Sequence, residues 1–445
     1  MTRVTHLTQK SVFDFRIRLG WVPVLALFRS ALEGILSCRF TLTRRASSPP
    51  PPSPLFFLTL SHSPTPSPGP HFLSRVAFRF PQDGNKILLF GGQGSGADFF
   101  NDLHLLDLKK TPLNLQRVSA AGDPPFPRCS GTLTAVSVSG QPGTEVVALF
   151  GGSQGFFEGF SNSLCILQGD NSVSINDAAS EHMGLTWREP IVLAANAADG
   201  MPDARWGHSA VSWRGKLVLF GGSNTQHCFS DTWVLDVSVN PVDSARHSPL
   251  LATWTKLKLS SGGGSPPSRA GQTVSLVGDA LYVFGGCHIS DVFNDLWKLD
   301  LSAETPRWEE LHVGGTPPAP RVGHAAVVLG DRIVFSGGRG SPTAGANGTF
   351  ATADQGLATM QGLTFFEGGF AMLDISRGRW MPIQHPNRSV YLQSDDADDM
   401  DMEPEGVWEH RTGHVMVPAK DGLLVIGGLA YNGEFQNDVQ HIKIF

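Results

Sequence analysis

An apolar run that ends in a pair of glycines recurs along this chain and limits the folds that the chain can adopt. Five copies and a weaker sixth are present, and successive pairs are separated by 60, 70, 64, 52 and 90 residues. A repeat of this length is typical of architectures in which each unit buries its apolar face only against its neighbours. The glycine pairs are Gly91 and Gly92, Gly151 and Gly152, Gly221 and Gly222, Gly285 and Gly286, Gly337 and Gly338, and Gly427 and Gly428.

Each apolar run predicts a short buried strand. The copy at Val283 and Phe284 is β-branched and aromatic, as a strand covered on both faces should be. The glycines that follow permit the positive φ of a tight exit from the strand. The chain contains 50 Gly and 31 Pro, a composition that suits many short strands joined by turns. The sequence therefore predicts an all-β architecture.

The same accessory residues surround each glycine pair. Upstream lies a Pro-x-Arg-x-Gly-His element, and downstream lie an Asn-Asp-hydrophobic-x-x-Leu-Asp strand and a Trp. The arginines are Arg128, Arg205, Arg269, Arg321 and Arg411, and the tryptophans are Trp187, Trp254, Trp308 and Trp380. A catalytic group is needed once, whereas a packing or hydrogen-bonding device is needed in every repeat. We therefore interpret these arginines, tryptophans and glycine pairs as structural.

Over residues 72 to 445 this pattern resembles the kelch repeat. The resemblance implies that each repeat is one four-stranded blade of a β-propeller, with strands lettered a to d, of which strand a follows the Gly-His. Strand b then ends in the glycine pair, strand c carries the Leu-Asp and strand d carries the Trp. The predicted fold is an all-β, six-bladed kelch-type propeller of four-stranded antiparallel blades, in which closure of the ring protects the blade edges.

The predicted domain organisation is a basic, Pro- and Ser-containing segment over residues 1–54, disordered or targeting-like, and a propeller over residues 55–445. The last repeat contains Asn437 and Asp438, but the chain stops at Phe445 before a fourth strand, so we expect a strand near residues 55–60 to close the ring. Residues 75–80 alternate like a strand and are the expected strand a of the first blade, and residues 115–118 take the place of its strand d.

Two insertions mark one end of the predicted propeller. In an up-and-down blade the b-to-c and d-to-a loops share one end. The b-to-c stretch of the fifth repeat (340–369) and the acidic segment after it (386–407) are both long. Binding residues concentrate in long loops on rigid scaffolds, and the resemblance implies partner contact at this end. The candidate partner-binding residues are Arg339, Thr343, Asn347, Phe350, Asp354, Phe366, Asp395, Asp396, Asp398, Asp399, Asp401 and Glu403.

Catalytic signatures are lacking. The sequence has no G-x-S-x-G elbow, H-E-x-x-H motif or phosphate-binding loop. Copper radical oxidases on kelch-like propellers need two tyrosines, a cysteine bonded to one of them and two histidines. None of Tyr282, Tyr391 and Tyr431 has the expected context, so this enzyme class is the less favoured alternative. We predict no enzyme activity, no cofactor and no metal.

The resemblance implies a protein-interaction scaffold, and two versions of that function stay open. Residues 24–45 faintly resemble the Leu-rich helix of an F-box, which favours a substrate receptor of a ubiquitin ligase. The other version is a stand-alone adaptor of trafficking or cytoskeletal proteins. Both predict a partner protein rather than a small-molecule substrate.

Charge and cysteine usage restrict the partner and the compartment. Residues 1–48 carry a net charge of +6 and the remainder carries −12, which disfavours nucleic acid and favours a basic protein partner. The five cysteines form no C-x-x-C pair. This spacing favours free thiols, as expected in a cytoplasmic or nuclear protein. No apolar run is long enough for a membrane span. We expect a monomer, with organelle or secretory targeting by residues 1–45 left open.

Overall fold

The computed structural model describes residues 76–79, 86–94, 98–110, 115–155, 159–169, 184–240, 250–260, 262, 264–289, 291–340, 348–349, 364–365, 370–383, 387–392, 411–419, 422–430, 435–436 and 438–443. The chain divides into two units, Met1–Ser67 and Pro68–Phe445, and every described residue lies in the second.

Strands make up the regular structure of the described residues, which contain no helix. In the first half they are β1 (Val76–Arg79), β2 (Lys86–Gln93), β3 (Phe99–Asp107), β4 (Leu115–Val118), β5 (Thr132–Ser139), β6 (Glu145–Phe150), β7 (Leu164–Gly169), β8 (Leu185–Arg188), β9 (Ile191–Ala194), β10 (Ser209–Trp213), β11 (Lys216–Phe220), β12 (Thr232–Val239) and β13 (Leu250–Lys256). The predicted all-β class is confirmed.

The second half continues in the same manner with shorter additional strands in its loops. These strands are β14 (Thr273–Val277), β15 (Ala280–Phe284), β16 (Cys287–His288), β17 (Asp291–Val292), β18 (Leu296–Asp300), β19 (Trp308–Glu310), β20 (Ala325–Leu329), β21 (Arg332–Ser336), β22 (Arg339–Gly340), β23 (Gly348–Thr349), β24 (Thr364–Phe365), β25 (Phe370–Asp374), β26 (Arg379–Pro382), β27 (Asn387–Leu392), β28 (Arg411–Thr412), β29 (Val415–Ala419), β30 (Gly422–Ile426), β31 (Leu429–Ala430) and β32 (Val439–Lys443).

Pairing groups the longer strands into four-stranded antiparallel sheets, which we call blades one to six. From the inside outwards, the six sheets seen in the described part of the chain are β1-β2-β3-β4, β5-β6-β7-β8, β10-β11-β12-β13, β14-β15-β18-β19, β20-β21-β25-β26 and β29-β30-β32-β27. The expected innermost strand near residues 75–80 and the expected outer strand at 115–118 are present as β1 and β4.

The hydrophobic core lies between the blades rather than within them. One cluster joins Phe90 of blade one to Trp187 of blade two, and equivalent clusters join each later pair of neighbours. A further cluster joins Ile87 and Leu89 of blade one to Leu424 and Ile426 of blade six. The six innermost strands lie side by side in chain order, and the last contacts the first. Side-chain packing between blades one and six therefore closes the ring of described blades.

The outer strand of blade six comes from the segment that precedes the inner strands of that blade in the chain. Strand β27 pairs antiparallel with β32, from Asn387 opposite Lys443 to Leu392 opposite Val439. The sequence predicts a strand near residues 55–60 at this position, and it predicts residues 386–407 as a single loop. Residues 55–60 lie outside the described residues, so a strand there stays a prediction. The start of the expected loop is instead the outer strand of the last blade.

Two features set blades three to five apart from a plain repeat. Strand β9 belongs to the connection from blade two to blade three and adds in parallel to the outer edge of β13. In the b-to-c loops, β16 pairs with β17, and β17 pairs with β23 in the insertion of blade five. The insertion of blade five therefore contacts the loop of blade four at the same end of the propeller.

Candidate binding surface

The arginine of each repeat is buried and holds its own blade together. The exposed fractions of Arg128, Arg205, Arg269, Arg321 and Arg411 are 6% or less. In each case an Nη1–H donates to the carbonyl of the first glycine of the pair in its own blade, at 3.0 Å. The sequence separation is 16 residues in four blades and 23 in blade two, where Arg128 reaches Gly151. Each guanidinium group therefore connects the loop that carries it to the glycine pair of its own blade.

A carboxylate completes this device in three blades. Asp231 accepts two hydrogen bonds from Arg205, at 2.6 and 3.1 Å, and Asp295 accepts two from Arg269, at 2.6 and 2.7 Å. Asp438 does the same for Arg411. Each Asp immediately precedes strand c, so the Asn-Asp element of the repeat is the ion-pair partner of the buried cation. Such bidentate pairs fix the relative position of two segments as well as offset the cost of burial.

Blade two departs from this arrangement. Ser163 stands directly before β7, where the other blades carry the Asp, and its Oγ accepts from Nη1 of Arg128 at 2.8 Å. Burial lowers the pKa of Arg128. A hydroxyl thus replaces the carboxylate at this position.

The backbone of the same arginine links each blade to the preceding one. The second glycine of a pair donates its N–H to the carbonyl of the next arginine, for example from Gly222 to Arg269 and from Gly286 to Arg321, both at 2.8 Å. At Gly221 a Cβ would lie 2.9 Å from the carbonyl oxygen of Arg269, with φ at +67°. The glycine pair is therefore required by close approach of two blades, and no phosphate cradle is needed to explain it.

The histidines of the Gly-His element are interior groups. His208, His324 and His414 are buried, and the rings of His208 and His324 contact a threonine hydroxyl at 3.1 and 2.9 Å. Burial and then the neighbouring Arg205 lower the pKa of His208 to about 3, and burial lowers the pKa of His414 to about 3. These imidazoles are neutral at physiological pH and are enclosed between blades, which suits packing rather than proton transfer.

The strand-d tryptophans pack between blades. Trp187, Trp254, Trp308 and Trp380 are at most 5% exposed. Each ring lies against the Phe that directly precedes the glycine pair of the preceding blade, with ring centroids 5.0 to 5.3 Å apart for Phe90, Phe150, Phe220 and Phe284. Edge contacts of this kind add to the area that the rings bury. The four rings therefore lie at the junctions between neighbouring blades.

Among the candidate partner-binding residues, the structure describes only Arg339. It lies in β22 at the base of the blade-five insertion, where its N–H donates to the carbonyl of Val322 at 2.9 Å. Its side chain is half-buried, and burial lowers its pKa. The others lie outside the described side chains: Thr343, Asn347, Phe350, Asp354, Phe366, Asp395, Asp396, Asp398, Asp399, Asp401 and Glu403. Their role in binding stays a prediction.

The described loops of blades one to three present an aromatic surface that the sequence interpretation missed. Phe126 is 73% exposed, and Met201 is 46% exposed. The half-buried ring of Phe160 stacks on Trp206, with centroids 6.2 Å apart and planes at 21°. Aligning the repeats on their arginines would have revealed Phe126, because the position two residues before the arginine holds Asp203, Pro267 and Ala319 in the following blades.

Three cysteines line the same end. Cys129, Cys228 and Cys287 are free, and burial raises their pKa values to about 11, 11 and 12. These thiols are therefore protonated at neutral pH and are poor nucleophiles. Among the residues that the structure describes, no group of three His, Cys, Asp or Glu is placed to hold a metal ion. Nor do these residues contain a helix that is long and apolar enough to cross a membrane.

A known family model matches this chain. The sequence model of the KLHDC2/KLHL20/DRC7 Kelch-repeats domain matches residues 84–250 and 185–354. Together these matches extend from blade one into the insertion of blade five.

Two curated proteins are similar to parts of this chain. Adagio-like protein 3 of Oryza sativa subsp. japonica is 30% identical over 276 residues, which are 59% of this chain and 38% of that protein. Host cell factor 1 of Rattus norvegicus is 27% identical over 295 residues, 59% of this chain and 13% of that protein. The chain thus spans well under half the length of these curated relatives.

The likeness to a solved structure concerns the fold. The structure of YjhT superposes with a TM-score of 0.53 at 15% identity, covering 84% of this chain and 95% of that chain. The predicted kelch-type propeller fold is confirmed.

Proposed function

We propose that this chain, which belongs to the kelch-repeat family, is a protein-interaction scaffold that binds a partner through the b-to-c and d-to-a loops at one end of its propeller. The partner is another protein rather than a nucleic acid, and the chain acts as a monomer in the cytoplasm or nucleus.

The observation that carries this proposal is the way in which the buried arginines hold these loops. Nε of Arg128, Arg205, Arg269 and Arg321 donates to the carbonyl two residues earlier, at 2.9 to 3.1 Å. The same guanidinium is tied to the glycine pair of its blade. The d-to-a loop is thereby fixed before any partner arrives, which lowers the entropic cost of binding. Fixed loops on a rigid scaffold are suited to recognition.

A direct test compares partner capture by the full chain and by a chain in which residues 341–363 and 395–405 are replaced by short Gly-Ser linkers. Crosslinking followed by mass spectrometry should identify partners of the full chain, with crosslinks in the b-to-c and d-to-a loops. Crosslinks confined to the a-to-b and c-to-d loops would contradict the proposal. An unchanged melting temperature of the linker variant serves as the folding control.

The finer version of the function is a substrate receptor of a ubiquitin ligase. Its support is the faint F-box resemblance of residues 24–45. We expect Skp1-type adaptors or cullins among the captured partners if this version holds. Their reproducible absence, with other partners retained, would favour a stand-alone trafficking or cytoskeletal adaptor. Stoichiometric copper in the purified chain would instead favour a radical oxidase.

A further inference from the structure

Two neighbouring blades present different side chains from the same fixed backbone position. Two residues before their arginines, the carbonyl oxygens of Phe126 and Asp203 each accept from the guanidinium Nε at 3.0 Å. Both side chains are exposed. Phe126 is flanked by prolines, and the carbonyl of Pro125 accepts from Asn101 at 3.1 Å. These hydrogen bonds fix the backbone that carries the two side chains, while the side chains themselves face solvent.

Aromatic contacts run through the described loops on either side of this position. A Cβ on Gly155 would lie 3.3 Å from the ring of Phe99, so the first residue of β3 in blade one lies close to the b-to-c loop of blade two. In blade two, Phe160 pairs with Ser153 and stacks on Trp206 of blade three. Half-buried aromatic rings thus extend across three blades. Aromatic side chains, Phe among them, are enriched at protein interfaces relative to the rest of the surface.

The charge on this surface has one sign. Asp98, Asp123 and Asp203 are exposed and form no side-chain hydrogen bond or ion pair within the described residues. The described parts of the b-to-c loops of these blades, and of the connections from blade one to two and from blade two to three, contain two Lys or Arg residues, Arg128 and Arg205, and both are buried. A partner segment that places a Lys or Arg beside an apolar side chain would match this distribution.

We propose that the surface formed by Phe99, Phe126, Phe160, Trp206 and the carboxylates of Asp123 and Asp203, here called the blade 1–3 surface, binds an extended peptide segment of a partner. This segment carries an apolar or aromatic residue that contacts Phe126 and a basic residue that pairs with Asp203. The proposal rests on the proposed function and specifies where on that end of the propeller the partner binds and with what chemistry.

A selection from a random 16-residue peptide library on the immobilised full chain tests this proposal. We expect the enriched peptides to share an aromatic or aliphatic residue next to Lys or Arg. Titration calorimetry with one synthesised peptide should then show affinity weakened at least about tenfold by F126A and by D203K. The decisive measurement is charge reversal, since the same peptide with its basic residue changed to Glu should bind D203K more tightly than it binds the unaltered chain.

Matched control variants lie away from this surface. I191A removes an exposed apolar side chain from β9, and E304K reverses an exposed carboxylate in the c-to-d loop of blade four at the other end. Both should bind the peptide as the unaltered chain does. Because Phe126 and Asp203 are exposed, all four variants should have unchanged circular dichroism spectra and melting temperatures.

The other outcomes separate this proposal from the proposed function. Enriched peptides without positive charge, no enrichment at all, or full affinity of F126A and D203K would overturn the blade 1–3 surface. If binding survives those two variants and is lost when residues 341–363 are replaced by a linker, the partner binds the same end of the propeller at blade five. If none of these changes affects binding, the proposed function fails as well.

Discussion

Ser130 adopts a left-handed backbone conformation, with φ at +55°, in a position that other blades give to glycine. The equivalent Gly207, Gly271, Gly323 and Gly413 have φ between +62° and +69°. They form a chain of backbone hydrogen bonds around the inside of the propeller, from the N–H of one to the carbonyl of the preceding one, which starts at the carbonyl of Ser130. The conformation is thus imposed on Ser130 by hydrogen bonding between blades.

Ser130→Gly should stabilise the protein by about 0.5 kcal/mol. Relief of the left-handed strain stabilises the folded state by ~1–2 kcal/mol. The greater conformational entropy of glycine in the unfolded chain offsets this by ~0.5–1 kcal/mol. The midpoint of urea unfolding should rise at unchanged slope. Ser130→Ala keeps the strain and is the control, and a lower midpoint for the glycine variant would show that Ser130 is not strained.

Asp295→Ala should destabilise blade four by about 3–5 kcal/mol, because it leaves Arg269 buried without its anion. It also removes the acceptor of the Trp297 indole N–H, at 2.6 Å. Ser163→Ala in blade two is the matched comparison and should cost about 1–2 kcal/mol, since only a hydroxyl acceptor is lost. Urea unfolding measures both. Equal costs would mean that the carboxylate contributes no more than the hydroxyl.

The buried histidines make stability depend on pH. An unfolded histidine titrates near 6.5, whereas the pKa of folded His208 is about 3. Between these values the unfolded chain binds more protons, so the free energy of unfolding falls as the pH falls below about 6.5. Stability from this group is fully present above that pH.

Between pH 7.5 and pH 5, the free energy of unfolding should fall by up to about 2 kcal/mol less in His208→Gln than in the unaltered protein. Blade four already carries Gln272 at the equivalent position, where its amide donates to the carbonyl of Phe220 at 3.1 Å. Glutamine therefore fits the site without a titrating group. Urea unfolding at both pH values is the measurement, and an unchanged pH dependence in the variant would exclude His208 as its source.

At the scale of the strand, β27 has the most unusual position. It precedes the inner strands of blade six in sequence yet forms the outer edge of that blade by pairing with β32. Within the described residues, the strands of the last blade come from residues 387–443, and blades one and six share no strand pairing. Their junction depends on the apolar cluster of Ile87, Leu89, Leu424 and Ile426.

Replacing residues 387–392 with a Gly-Ser sequence of equal length should lower the melting temperature, because β32 then loses its outer partner and becomes an exposed edge. Differential scanning calorimetry measures this change. Deletion of residues 1–67 tests the predicted strand near 55–60 in parallel. An unaltered melting temperature after the Gly-Ser replacement would show that β27 contributes nothing to blade six.

At the scale of the whole molecule, stability is shared because each core cluster belongs to two blades. Trp308 of blade four packs on Phe220 of blade three, with centroids 5.2 Å apart, and is 3% exposed. Its removal opens a cavity at a junction rather than inside one unit. The consequence should be seen in the unfolding of the entire ring.

Trp308→Ala should cost about 3–5 kcal/mol and shift one cooperative transition instead of producing a second one. Far-ultraviolet circular dichroism and tryptophan fluorescence should still give coincident urea curves. Separate transitions for the two probes would indicate that the blades unfold independently, as in an open repeat array.

Much of this architecture could be predicted from the repeat alone. The glycine pairs, the arginine and the tryptophan recur because every blade meets the same packing problem, and their spacing identifies strands b and d without coordinates. The aromatic surface at Phe126 was missed because it breaks the repeat, and an unrepeated residue carries no periodic signal. Aligning the blades on Arg128 and Arg205 exposes this difference.

Local periodicity and residue type are sufficient to predict the all-β class, the repeating blade and the recurring residues that pack between blades. Three further features are visible in the folded chain alone: the segment that fills the outer edge of blade six, the pairing of Asp231, Asp295 and Asp438 with buried arginines, and the equivalent fixed positions of Phe126 and Asp203 on neighbouring blades. Those features depend on contacts between distant residues, which no local pattern encodes.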